Sequence, residues 1–485
     1  MVRWRPRSLC RVDRWLAPEE DSQEDRDRVV VVKLWDTMES TDGDPALVHH
    51  VDEGLEVKAV DCMGFAGSMA CGVDQAGFDV IAKREPAVFK GFGVNSMLYN
   101  MPWVEAQVSE PSQWDLPTDP VELLFGCPPC TGFSQLSYAN KFIHNSQIGM
   151  GAPINECMRD LVEYAARVKP RVVIMESVGR AFGGGRLWME ELFGVLKEKS
   201  GLPYQLTHVN MNAALVGGDV VRPRYFFVAS LDPFGVGLEF VQPRTVDELL
   251  ADLPELEDPD DHDWAQFPGA GEIYAKSIAW LKTQGRDWPA GTRLPDNNKG
   301  LEPPDFWIKK PGAKPSGRLP AGMKNVLSHW FSDDMFSTYR WPGNKPFGVV
   351  VAASLGRALH PHFDRAFTWR ELARFMSLPD DWSLKVLVDE RRGGELGKAV
   401  PTASAKWIAH WAKTSIEGVP GEYAGVVDGS DPDIRVIQVQ RQNQVDLILK
   451  SPPKGAFYEA PTADPSPSTW IVDRKQRPER WWQRG

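Results

Sequence analysis

Residues 56 to 82 read as strand, glycine turn, helix, strand, and this succession constrains the architecture more than any other feature of the chain. VKAVDCMGF is an apolar strand run that ends in a Gly-containing turn. SMACGVDQAGF then carries apolar residues at helical spacing, and DVIA supplies a second short strand. Such a β-loop-α-β opening predicts an α/β protein with a doubly wound, mostly parallel sheet, whose ligands sit at the carboxyl ends of the strands.

Later segments repeat the logic. VELLF is a strand delivering the loop GCPPCTGFS, and INECMRDLVEYAARV is an amphipathic helix. RVVIME is a strand ending on Glu176, and RPRYFFVAS is another strand. After Ser230 the texture turns to Pro, Gly, Trp and charge for more than a hundred residues, which predicts a smaller, loop-rich second lobe. TWRELARFM and AVPTASAKWIAHWA then restore the first texture. The expected organisation is an extension over 1–54, a main lobe over 55–235, the second lobe over 236–348, a return segment over 349–416 completing the main lobe, and a polar extension over 417–485. Neither extension has a role readable from its residues.

Composition excludes several classes. No run approaches the roughly 20 apolar residues of a membrane span, and the Arg-rich opening lacks the apolar stretch of a secretion signal, so a cytoplasmic protein without membrane contact is expected. Six cysteines (10, 62, 71, 127, 130, 157) are too sparse for a disulfide framework and leave room for a reactive thiol. The net charge of -11 argues against a non-specific nucleic-acid coat. Charge is uneven, however: residues 247–263 hold nine acids and no Lys or Arg, whereas 306–330 hold Lys309, Lys310, Lys314, Arg318 and Lys324 with no acid. That window suits a phosphate backbone or, equally, a solvated loop.

The loop from Gly126 to Ser134 follows a strand, where backbone can present a nucleophile over a pocket. As a bare C-x-x-C it has three competing readings: a redox pair, half a zinc site, or two buried thiols. Zinc needs a second ligand pair, and Cys62 and Cys71 lie nine apart without nearby histidines, so no metal is expected. A thioredoxin-like pair should open a helix directly, for which Thr-Gly-Phe-Ser is a poor first turn. A single nucleophile with a rigid Pro-Pro lead-in is the remaining reading.

The order of motifs resembles the DNA cytosine-C5 methyltransferase family over about residues 58–411, the second lobe excepted. Pro-Pro-Cys with Phe-Ser, Glu-Ser-Val closing a strand, Arg-x-Arg opening one, Arg-Glu-Leu-Ala-Arg with Pro-Asp-Asp-Trp, and Gly-Lys-Ala-Val-Pro stand in the family's own sequence. The resemblance implies a Rossmann-like S-adenosylmethionine-dependent fold with a target-recognition lobe. It implies covalent catalysis, since cytosine C5 becomes nucleophilic only after a thiolate adds to C6; Cys130 takes that role. Glu176 is assigned to the base N3 and exocyclic amine, Arg224 to the base oxygen, and Arg222 to bracing the loop.

The resemblance places the donor, S-adenosylmethionine, in the first β-loop-α turn, with Asp61, Met63, Gly64, Phe65, Ala66 and Gly67 around its methionine part. Glu85 is the candidate for the ribose hydroxyls and Glu110 for the adenine amine. Duplex DNA is the implied partner and no obligate oligomer is expected. Ser134 and the basic window from Lys309 to Lys324 are the candidate DNA contacts, around a cytosine flipped out of the helix. A bacterial or phage modification enzyme is the implied context, masking DNA or partnering a nuclease.

The chain departs from the family pattern at several positions. Ser177 stands for the usual Asn, Val220 for a Gln, and Phe65 and Ser68 for glycines. In the turn with Ala399, Lys398 stands for an Asn beside the donor's sulfonium, where two cations about 5 Å apart repel by roughly 1–3 kcal/mol. That repulsion becomes attraction if the transferred group carries a carboxylate, so carboxy-S-adenosylmethionine and a 5-carboxymethylcytosine product form an alternative to methyl transfer. A catalytically silent DNA-binding relative and an RNA cytosine transferase are the others.

Overall fold

The computed structural model describes residues 30–32, 57–91, 93–130, 153–237, 241–253, 278–292, 339–348, 358–389, 394–427 and 431–439. The DNA-contact candidates Ser134, Lys309, Lys310, Lys314, Arg318 and Lys324 lie outside them.

The strands, in chain order, are β1 (Val30–Val32), β2 (Lys58–Cys62), β3 (Asp79–Pro86), β4 (Glu105–Ser109), β5 (Leu123–Gly126), β6 (Val172–Val178), β7 (Gln205–Asn212), β8 (Pro223–Ser230), β9 (Tyr339–Arg340), β10 (Ala358–Leu359), β11 (Val426–Val427) and β12 (Ile434–Val439). Ten form one sheet in the order β1-β4-β3-β2-β5-β6-β8-β7-β12-β11; β9 and β10 pair apart from it. From β4 to β6 all neighbours run parallel, as does β12 beside β7. Strand β8 runs antiparallel to both β6 and β7, and β1 and β11 are antiparallel edges. The α/β, mostly parallel class is therefore as the sequence implies.

The central strands are largely apolar until their carboxyl ends because both faces are covered. Ala59, Leu123, Phe125 and Ile174 pack with Met69, Val73, Leu372, Phe375, Ile408 and Ala412 on one face. Val60, Leu124, Val173 and Met175 pack with Met158, Leu161, Met189 and Leu196 on the other. Each such side chain contributes about 1.5–3 kcal/mol on leaving water. The first face depends on close contact between the helices Ser68–Gln75 and Thr402–Ile416. A Cβ on Gly72 would lie 2.5 Å from the Thr402 carbonyl oxygen, so only glycine permits that approach.

Two segments differ from their expected place. Residues 417–485 read as an extension, yet β11 and β12 extend the sheet, and Ile434, Ile437 and Val439 are buried against it. Alternation in IRVIQV carries this strand, and the polar, Pro-containing surroundings conceal it. Likewise β1, inside the expected 1–54 extension, pairs with β4. Strand β6 also continues past Glu176 to Val178. Among the described residues no helix is long and apolar enough to cross a membrane.

Candidate active site

Parallel register brings the first group of residues together. Gly126 of β5 pairs with Met175 of β6, so the next residue on each strand, Cys127 and Glu176, stand side by side. On the other flank, Val178 pairs with Arg224 of β8, which puts Glu176 and Arg224 on one face. Glu176 is 2% exposed; its Oε1 forms an ion pair with Arg224 Nε, and its Oε2 accepts a hydrogen bond from the Cys127 thiol at 2.8 Å. Burial pushes the Glu176 carboxyl above its usual value, against the pull of Arg224 and the Cys127 hydrogen bond.

Cys130 lies at the half-buried edge of this pocket. Burial and the Glu176 carboxylate push its thiol up to about 11, with Arg224 opposing. At neutral pH the Cys130 thiol is thus protonated, and losing either its burial or the negative charge beside it would favour the thiolate.

Arg222 is buried. Its Nη2 donates to the Gly397 carbonyl at 2.9 Å and its Nη1 reaches Met376 Sδ at 3.6 Å. It ties β8 to the segment 394–401, which is also held from the donor side: the Ser68 hydroxyl donates to the Val400 carbonyl at 2.8 Å. The return segment therefore lies between the two sites. Lys398 ends the short helix Gly394–Lys398 and is exposed, while Ala399 beside it is buried.

The second group stands at the ends of β2 and β3. The turn after Asp61 bends sharply: Met63 (φ 63) and Phe65 (φ 53) occupy the left-handed region, as does Gly67 (φ 94). For the two non-glycine residues this costs about 1–2 kcal/mol each. Glycine is required at position 64, where a Cβ would sit 2.3 Å from the Asp61 carboxylate. Ala66 and Met63 are buried, Phe65 half-buried.

Asp61 pairs in register with Lys83 of β3, and Glu85 follows two residues later on the same strand face. All three side chains are buried. Lys83 Nζ stands 3.1 Å from Asp61 Oδ2 and 3.5 Å from Glu85 Oε2, the latter at the outer limit of a hydrogen bond. Glu85 Oε2 has no closer donor among the described residues. Burial raises both carboxyls, that of Glu85 to about 8, with Lys83 opposing. A strained glycine turn beside a buried carboxylate with a spare acceptor fits the polar, hydroxyl-bearing nucleoside of an S-adenosylmethionine-type donor. Glu110 is exposed just past β4, apart from this buried triad.

Two side chains at these sites escaped the sequence reading. Lys83 appears only as one letter of IAKREP, and Cys127 only as the other half of C-x-x-C. The signal for Lys83 was its i, i+2 spacing to Glu85 on a buried strand. Cys127 gave none beyond its place at the mouth of a strand.

Residues 57–413 match the C-5 cytosine-specific DNA methylase family. The type II methyltransferase M1.HphI of Haemophilus parahaemolyticus is 23% identical over 373 residues, which cover 73% of this chain and 86% of that protein. The type II methyltransferase M.DdeI of Desulfomicrobium norvegicum is 21% identical over 423 residues, covering 80% of this chain and 95% of the other. Among solved structures, the Entamoeba histolytica methyltransferase EhMeth aligns over 75% of this chain and 99% of its own, with a TM-score of 0.47 and 13% identity.

Proposed function

The chain belongs to the C-5 cytosine-specific DNA methylase family, and from that premise we propose that it methylates C5 of a cytosine flipped out of duplex DNA, with Cys130 as the covalent nucleophile. The observation that carries this reading is the shared pocket in which the Cys130 thiol, the Glu176 carboxyl and the Arg224 guanidinium act on one another.

When bound, S-adenosylmethionine supplies an electrophilic methyl group. Met63, Gly64, Phe65, Ala66 and Gly67 would hold its methionine end, with Ala399 closing over it, and Glu85 would accept from its ribose hydroxyls. Glu110 is the acid nearest in sequence for the adenine amine. The protein's own residues do the rest. Glu176 gives a proton to cytosine N3 while Arg224 pairs with the base oxygen, and the ring becomes electrophilic at C6. Glu176 takes up this proton from solvent beforehand, and the carboxylate it becomes is paired with Arg224, whose charge opposes its hold on the Cys130 thiol. The thiol loses its proton to solvent, sulfur bonds to C6, and the freed π electrons make C5 an enamine carbon. After methylation N3 returns its proton to Glu176, C5 loses its proton to solvent and sulfur departs as a thiolate, restoring the C5–C6 double bond.

Lys398 is exposed, where water and salt screen its charge. The repulsion that favoured a carboxylated donor is weak there, and methyl is the group proposed. Ser134 and the basic window from Lys309 to Lys324 are proposed to hold the DNA, and the chain is proposed to act as a monomer.

The test is direct. Purified protein is incubated with unmodified duplex DNA, or with RNA, and either S-adenosylmethionine or its carboxy form; the nucleic acid is then digested and its nucleosides weighed. Deoxycytidine heavier by one methyl group is the expected result. A carboxymethyl increment, modification of RNA alone, or no modified cytosine from any combination would each overturn the proposal.

A further inference from the structure

Cys127 takes no part in the chemistry set out above, yet it is 2% exposed and its Sγ lies 2.8 Å from Glu176 Oε2. The contact is imposed by the sheet. Register between β5 and β6 ends on Gly126 and Met175, and the two strands deliver the next residue of each to the same spot. Pro128 and Pro129 follow immediately, so the backbone after Cys127 has two φ angles fixed by pyrrolidine rings.

With Arg224 on Oε1 and Cys127 on Oε2, both oxygens of Glu176 are held from the protein side. Each carboxylate oxygen has two lone-pair sites, so one on each remains for a base edge. Arg224 alone would leave the carboxyl free to rotate about its terminal bond, a soft and nearly two-fold torsion. A second donor fixes that rotation. Without it, a buried carboxylate oxygen loses its partner in a pocket where water has little access.

We propose that Cys127 is a positioning residue for this reaction: its thiol donates to Glu176 Oε2 and fixes the plane of the carboxyl that meets the cytosine N3 and exocyclic amine. The inference rests on the methyl-transfer reading for its consequence in turnover, but its structural content is independent of it.

Serine and alanine at position 127 separate donation from packing, because both remove the sulfur and only serine keeps a donor. Cys127→Ser and Cys127→Ala are prepared in the full chain. Alkylation of Cys130 by iodoacetamide is followed against pH by peptide mass spectrometry, alongside steady-state methyl transfer to duplex DNA. In the parent the held Glu176 carboxylate keeps Cys130 poorly reactive. We expect the alanine variant to alkylate several-fold faster at a given pH, and to show a kcat about tenfold below the parent with donor KM unchanged, as for one lost hydrogen bond to a charged group. The serine variant is expected to follow the parent in both.

Equal behaviour of the two variants, whether both altered or both unaltered, would show a packing role only and overturn the proposal. If the parent transfers no methyl group, the methyl-transfer reading fails. The alkylation profiles still decide whether Cys127 holds Glu176.

Discussion

The catalytic pocket and the donor pocket are both buried charge clusters at the carboxyl ends of neighbouring strands, but they are satisfied differently. In the catalytic pocket one acid, Glu176, has an ion pair with Arg224 on one oxygen and a hydrogen bond from Cys127 on the other. In the donor pocket two acids, Asp61 and Glu85, share one cation, Lys83, and Glu85 Oε2 stands at the edge of hydrogen-bonding range. In the proposed reaction the first arrangement fixes the direction of a carboxyl that meets a flat base edge. The second keeps an acceptor in reserve, as a site for a ligand with hydroxyl groups requires. A buried polar atom without a partner is costly, and it persists where a ligand completes it.

The largest expected effect breaks the comparison at the catalytic pocket. Cys130→Ala removes the half-buried thiol beside Glu176 and with it the proposed covalent route. Turnover should fall by about three orders of magnitude or more, while donor affinity, which belongs to the other pocket, stays unchanged. Methyl transfer and equilibrium donor binding, measured on the same preparation, check this. Loss of donor binding in the variant would mean that the two pockets are not separable.

Lys83→Met strikes the donor pocket next. It leaves two buried carboxyls with no cation between them, and breaking such a buried arrangement by removing one partner costs about 3–5 kcal/mol. A lowered thermal midpoint is expected, with weaker donor binding and no change in Cys130 alkylation. Above about pH 8, where Glu85 is ionised, adding Glu85→Gln to Lys83→Met should recover part of the stability, since the second carboxyl no longer needs neutralising. Failure of the double variant to recover would argue that Lys83 acts by packing rather than charge.

A smaller effect sharpens the catalytic side. Glu176 raises the Cys130 thiol and Arg224 lowers it. Glu176→Gln should therefore speed iodoacetamide alkylation of Cys130 at fixed pH, and Arg224→Met should slow it, each by about tenfold for a one-unit change in pKa. Both variants should lose methyl transfer, so that reactivity and turnover move in opposite directions in the first and together in the second. Parallel changes in alkylation would disprove the opposed roles.

The two pockets were also unequally legible in the sequence. Cys130, Glu176 and the Arg222/Arg224 pair announce themselves because each chemical role demands one residue type at a loop or strand end. The sequence reading already gave the two arginines different roles; in the structure Arg222 reaches back to Gly397, while Arg224 pairs with Glu176. The donor pocket was legible in its turn and in Glu85, but not in Lys83. A lysine inside IAKREP resembles a solvated strand residue, and nothing local shows that register sets it opposite Asp61. Long-range pairing likewise hid β12, whose partner β7 lies more than two hundred residues earlier. Strands and amphipathic helices of the main lobe follow from periodicity, whereas sheet edges follow from which chain ends happen to meet.

The smallest expected effect separates the pockets by pH. Burial, and Asp61 beside it, raise the Glu85 carboxyl to about 8, whereas the unfolded chain titrates near the ordinary value of about 4.3. Between those values the folded protein retains a proton that the unfolded chain releases, so stability is fully present at low pH and declines as pH rises through the window. The donor-free thermal midpoint should then fall by a few degrees from about pH 5 to about pH 8.5, and Glu85→Gln, which cannot titrate, should flatten that decline. Glu176 is raised as well but is opposed by Arg224 and the Cys127 thiol, both aimed at the ionised form. Glu176→Gln should leave more of the slope in place than Glu85→Gln does. If instead Glu176→Gln flattens the curve more, the resting proton resides in the catalytic pocket, and the reserve acceptor assigned to Glu85 is already ionised before the donor arrives.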